Sequence, residues 1–170
     1  MTRSAAIVAS FLALSITEVC AQSDIITYRD GRFTAILAFT DKADEFVAQW
    51  YKPAQPGYRP QLQATRKVSL HKPVTGFVFF GNCPPIPRCQ LKADFLIAKA
   101  DGTVVEQKKD LPIWTREHSP PENIMTLGET RFTVTFDKRD EVGQYRMSVT
   151  VRDLSSGKAG TLSWSLEVTE

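Results

Sequence analysis

The chain has two histidines in 170 residues, His71 and His118, which leaves it poorly supplied for metal or acid–base chemistry. His71 stands beside Lys72, and His118 lies in a proline-flanked stretch with Glu117 and Glu122. A zinc site takes about four ligands, and no second cysteine pair or neighbouring histidine completes one. The sequence also lacks a Gly-x-Ser-x-Gly elbow, a reactive-cysteine signature and a Ser/His/Asp order with glycine support. Gly157 and Gly160 flank Lys158, but no helical pattern follows them, so they do not form a phosphate loop. The acidic pairs Asp94 with Asp101, and Glu117 with Glu122, fall in strand or turn settings where solvated carboxylates are expected. No catalytic residue, metal ligand or cofactor is expected.

An excess of charge of one sign is missing too. The 21 Lys+Arg and 19 Asp+Glu give a formal net charge of +2. Basic residues never run longer than pairs: Arg66-Lys67, Lys108-Lys109 and Lys138-Arg139. Such a balance gives no electrostatic pull toward nucleic acid or an anionic membrane. No low-complexity tract or internal repeat is present.

Only one apolar run is long: Ala5 to Ile16, twelve residues preceded by Arg3. A bilayer-spanning helix needs about 20 apolar residues, so this run has the length of a signal-peptide core. Val19 and Ala21 then fit the small positions of a cleavage site, with residues 1–21 removed and residues 22–170 left as a single domain. A lipidated Cys20 is the rival, but Thr17, Glu18 and Val19 do not make the small-residue motif that lipidation needs. Cleavage removes Cys20 and leaves Cys83 and Cys89. Disulfides persist in oxidising compartments, so these two are expected to form one bridge; free or metal-binding thiols are the alternative. The expected location is the periplasm or the extracellular space, with no membrane insertion after cleavage.

Beyond Gln22 the dominant pattern is period-two alternation, the mark of half-buried strands. It is cleanest near the end. Phe132, Val134 and Phe136 share one face of 130–136. Tyr145, Met147, Val149 and Val151 share one face of 144–152, and Leu162, Trp164, Leu166 and Val168 one face of 161–168. Further strands are expected over 32–39, 64–70, 74–80, 90–98 and 103–108, with Asp101-Gly102 as a hairpin turn. One helix is expected from Lys42 to Tyr51, capped by Asp41, and Pro53 and Pro56-Gly57 end it. The pattern predicts an all-β chain: an immunoglobulin-like antiparallel β-sandwich of seven to eight strands with one short N-terminal helix. A barrel is the competing architecture. The stretch Asp140 to Tyr145 favours the sandwich, because it has the turn-and-tyrosine form in which the hydroxyl bonds back to upstream backbone. Met147 stands where antibody domains place a cysteine, so their inter-sheet disulfide is absent.

Several local motifs go together. They are Phe79-Phe80-Gly81-Asn82-Cys83 with Cys89, Ala93-Asp94-Phe95, Ala100-Asp101-Gly102, Lys109 to Trp114, Pro120-Pro121, and Gly143-Gln144-Tyr145 through Val151-Arg152-Asp153. On these residues the segment from Phe77 to Val168 resembles a family of uncharacterised exported bacterial proteins. The resemblance implies a periplasmic or secreted immunoglobulin-like domain and brings no activity or catalytic residues with it.

The most unusual stretch is Gly81 to Cys89. Proline fixes φ and removes amide donors, so a disulfide ring holding Pro84, Pro85 and Pro87 cannot extend the flanking strands. On the chain-entropy view the bridge stabilises the fold by about 2.4 kcal/mol. Ile86 and Arg88 would project from a stiff tip, and a preorganised loop binds with less ordering cost. Of the tryptophans, Trp164 is expected in the core and Trp50 on the buried side of the helix. Trp114 is expected either as a loop anchor or as a ligand contact. The sequence reading is a non-catalytic interaction module for a protein partner, with Ile86, Arg88 and Trp114 as the candidate contacts; the ring is otherwise a clip against fraying. An enzyme inhibitor anchored by Arg88 is the alternative, and a small hydrolase a lesser one.

Overall fold

The computed structural model describes residues 26–53, 58–83 and 88–170. The signal peptide, its cleavage site, Cys20 and Ile86 lie outside the described residues.

Alternation produces the second half of the fold. Strands β8 (Gly143–Asp153) and β9 (Ala159–Thr169) bury every second residue. Joined with β5 (Leu91–Lys99), they turn one continuous apolar face inward. Their other face is wet, and Ser148 meets Ser163 at 3.1 Å and Thr150 meets Thr161 at 2.8 Å across the ladder. This five-stranded sheet has the order β3-β9-β8-β5-β6, with β3 spanning Lys67–Ser69 and β6 spanning Val104–Trp114. The four-stranded sheet has the order β1-β2-β4-β7, from Ile26–Asp30, Phe33–Thr40, Pro73–Gly81 and Thr126–Thr135. Every pairing is antiparallel except β3 with β9.

The two sheets pack face to face as an immunoglobulin-like β-sandwich, and their shared core decides against the barrel. Leu37, Phe39, Val78 and Phe80 from one sheet meet Phe95, Met147, Trp164 and Leu166 from the other in a single buried cluster. Aromatic rings carry much of it: Phe95 stacks on Phe132 at 4.9 Å, and Phe39 lies 5.9 Å from Trp164. The Tyr145 hydroxyl donates to the Glu141 carbonyl at 2.7 Å, the hook expected of the turn-and-tyrosine segment.

Helix α1 (Ala43–Trp50) lies on the outer face of the four-stranded sheet. Phe46 packs against Phe77 at 5.1 Å and Phe79 at 5.7 Å, and together with Leu127 they form a second, smaller core. Asp41 does not cap the helix. Lys42 occupies that position with no side-chain cap, and the Thr40 hydroxyl accepts the Lys42 N–H at 3.0 Å instead. Burial of Phe46, not capping, holds the helix in place.

Three further differences have local causes. Strand β1 adds a ninth strand; its Tyr28 ring covers Gly160, where a Cβ would come within 2.4 Å of the ring. Strand β6 runs on to Trp114 instead of ending near Lys108. Bulges absorb the irregular sequence, Asp110 takes a φ of 56°, and Pro112 sits on a sheet edge where a missing N–H costs little. The expected strand over 64–70 shrinks to three residues.

Candidate binding surface

Cys83 and Cys89 are bonded, with their Cα atoms 5.7 Å apart. Both are buried, at 2% and 0% exposure, so the bridge belongs to the core and not to the loop surface. Strands β4 and β5 deliver the two cysteines at the same end of the sandwich. Neighbouring loops brace this end. Asn82 and Asn123 both adopt left-handed backbone, with φ of 56° and 61°. The Asn123 N–H donates to Asn82 Oδ1 at 2.9 Å, and the Cys89 N–H donates to Ser119 Oγ at 3.3 Å. The Leu154 N–H donates to the Gln90 carbonyl at 2.9 Å, which ties in the β8–β9 hairpin. That hairpin is closed by Asp153. Burial works against ionisation of its carboxyl, but hydrogen bonds from Ser155 and Ser156 outweigh it and hold the group below the usual carboxylate range.

Ile86 lies outside the described residues. Arg88 is exposed. Trp114 is 4% exposed and ends strand β6. Its ring packs edge-on against Phe80 at 5.6 Å, and its Nε1–H donates to the His118 carbonyl at 3.0 Å. Trp114 therefore anchors the following loop, with the Arg116 guanidinium 4.7 Å above its ring.

Three of the carboxylates considered from sequence, those of Glu122, Asp94 and Asp101, are taken up in local structure. Glu122 pairs with Arg32 at 3.5 Å. Asp94 accepts the Asp110 N–H at 2.9 Å and pairs with Arg152, and its carboxyl lies below the usual range through the backbone bond first and Arg152 second. Asp101 accepts the Thr103 N–H in the turn at 2.8 Å. The His71 N–H donates to the Phe136 carbonyl at 2.7 Å. Among the described residues no group of three metal-ligating side chains comes together.

No family model matches the chain, and no curated protein matches it. Among solved structures the chain is similar to a Niemann-Pick type C2 protein from Japanese carpenter ant. The two are 9% identical with a TM-score of 0.41, covering 61% of this chain and 79% of that one. It is also similar to the CARDB domain of the PF1109 protein from Pyrococcus furiosus, determined in complex with di-metal ions. Identity there is 18% and the TM-score 0.33, covering 61% of this chain and 80% of that one. Neither likeness identifies a family.

One concavity has no forerunner in the sequence reading. Two clefts adjoin on the outer face of the four-stranded sheet, of about 240 Å³ and 390 Å³, sharing Trp50, Pro60 and Met125. The residues that build it come from α1, the 58–62 segment, β2, β4, the end of β6 with Arg116 just after it, and the start of β7. No short motif joins them, which is why the sequence does not announce it.

Proposed function

We propose that the protein is a non-catalytic binding module that works outside the cytoplasm and uses the braced loop end as its contact surface. The observation that carries this reading is the buried Cys83–Cys89 bridge, which closes a proline-rich loop at its base. A bridge of this kind forms and survives in oxidising compartments, which agrees with the signal-like N-terminus and with a place among exported bacterial proteins. Loops carried on a rigid sandwich are the usual seat of recognition, and here three of them are tied together by hydrogen bonds that backbone N–H groups donate to side-chain and carbonyl oxygens. A protein partner is the occupant this reading assigns. The test compares native protein with an Ile86→Ala/Arg88→Ala double variant as bait in periplasmic extract. A partner held by the native form and lost by the double variant is expected; equal recovery of every partner by both forms removes the loop from the reading.

Arg88 supports a second reading as an enzyme inhibitor, because it is exposed beside a disulfide-closed proline run. Inhibition of a protease that cleaves after arginine, lost in Arg88→Ala, is the outcome that would select it.

A further inference from the structure

The double cleft beside α1 depends neither on the disulfide loop nor on a partner for it. Its walls are built in advance. The Gln61 N–H donates to Gln49 Oε1 at 3.1 Å, and the Tyr58 hydroxyl donates to the Gln49 carbonyl at 3.3 Å, so the 58–62 segment is clamped to the helix. The smaller cleft is lined only by apolar side chains, among them Ile36, Phe46, Leu62 and Phe79. The larger one contains a single charged residue, Arg116. Around them large apolar groups stay in water: Tyr51 is 70% exposed, Ile124 55% and Tyr58 36%. An apolar concavity with one placed polar group has the form of a small-molecule site.

Arg116 is held, but its donors are not used up. Its Nε donates to Glu129 Oε1 at 3.0 Å, while Glu129 Oε2 accepts from the Thr115 backbone and hydroxyl. Among the described residues nothing accepts from the Arg116 Nη groups. Glu129 alone does not forbid a second anion, since elsewhere in the molecule Arg152 serves two carboxylates at once, those of Asp94 and Asp110. Lys52 and Arg59 stand next in the chain to the lining residues Tyr51 and Pro60, and neither has a carboxylate partner among the described residues. A peptide would bring backbone N–H groups into the apolar end, where no lining side chain offers an oxygen or nitrogen acceptor, and that burial is costly. A polymethylene chain carries no such groups.

We propose that this double cleft binds a single-chain carboxylate amphiphile, with its chain against Phe46, Leu62, Phe79 and Met125 and its carboxylate on the Arg116 Nη groups. The probe is decanoate, compared with decanol, titrated into the full chain by calorimetry and followed by methionine-methyl NMR. Decanoate is expected to saturate one site and to shift the Met125 methyl. The Met147 methyl, buried between the sheets, is expected to stay in place. Decanol should bind about tenfold more weakly, the factor expected for losing a charge-assisted hydrogen bond. Arg116→Gln should bring decanoate down to the decanol level and leave decanol unchanged. Three results overturn the proposal: no saturable decanoate binding, equal affinity for decanol, or movement of Met147 in place of Met125. The first two and the methyl readout need only the native chain, so they decide even if the Arg116 variant misfolds.

Discussion

Strands β4 and β9 both cross the middle of a sheet, yet they bury their residues in opposite ways. β9 alternates buried and wet along its length. β4 is buried at every position after Pro73. The difference is a third layer. Val74, Val78 and Phe80 face the sandwich core, while Phe77 and Phe79 face α1. A sheet covered on one side needs a period-two sequence, and a sheet covered on both needs a continuous apolar one. The same domain holds both cases, and α1 is what separates them.

Removing the anchor of each layer tests that contrast. Trp164→Ala should cost the most, about 4 kcal/mol, because the ring is fully buried and its Nε1–H donates to the Thr65 carbonyl. Phe46→Ala should cost about 3 kcal/mol, the low end for a phenylalanine, because the outer cluster opens onto a cleft and can relax. Urea unfolding measures both. A Phe46 loss larger than the Trp164 loss would mean that the outer layer, not the inter-sheet core, sets the stability. Asp153→Asn follows, at about 1–2 kcal/mol near neutral pH. Its pH dependence has a definite sign. The folded-state pKa lies below the unfolded value of about 3.9, so the carboxylate stabilises the fold above that value and the contribution is lost as pH falls through the folded-state pKa. Acid titration of stability should therefore be flatter in Asp153→Asn. Ser163→Ala, on the wet face of β9, should change stability by no more than about 0.5 kcal/mol, and a larger effect would show that the Ser148–Ser163 contact bears on the sheet.

The sequence was legible where one face meets water. Strands β7, β8 and β9, the Asp101-Gly102 turn, the Cys83–Cys89 pair and the Tyr145 hook are all local patterns or pairs close in the chain. Residues whose partners lie far along the chain were not legible. Strand β1 is only five residues long; besides its ladder with β2, its Tyr28 ring packs on a glycine 132 positions away. The three-residue β3 exists because Lys67, Val68 and Ser69 pair with Glu167, Val168 and Thr169. Asp110 and Pro112 look like strand breakers and become a bulge and an edge. Trp114 looked like a loop residue because the strand that carries it is irregular. The cleft beside α1 needs six separate segments to meet, and no single window of residues encodes that.

Strand β9 follows the other eight described strands in the chain, yet it sits inside its sheet, between β3 and β8. Without it, β3 has no neighbour and β8 keeps an open edge, so the larger sheet closes only when β9 is in place.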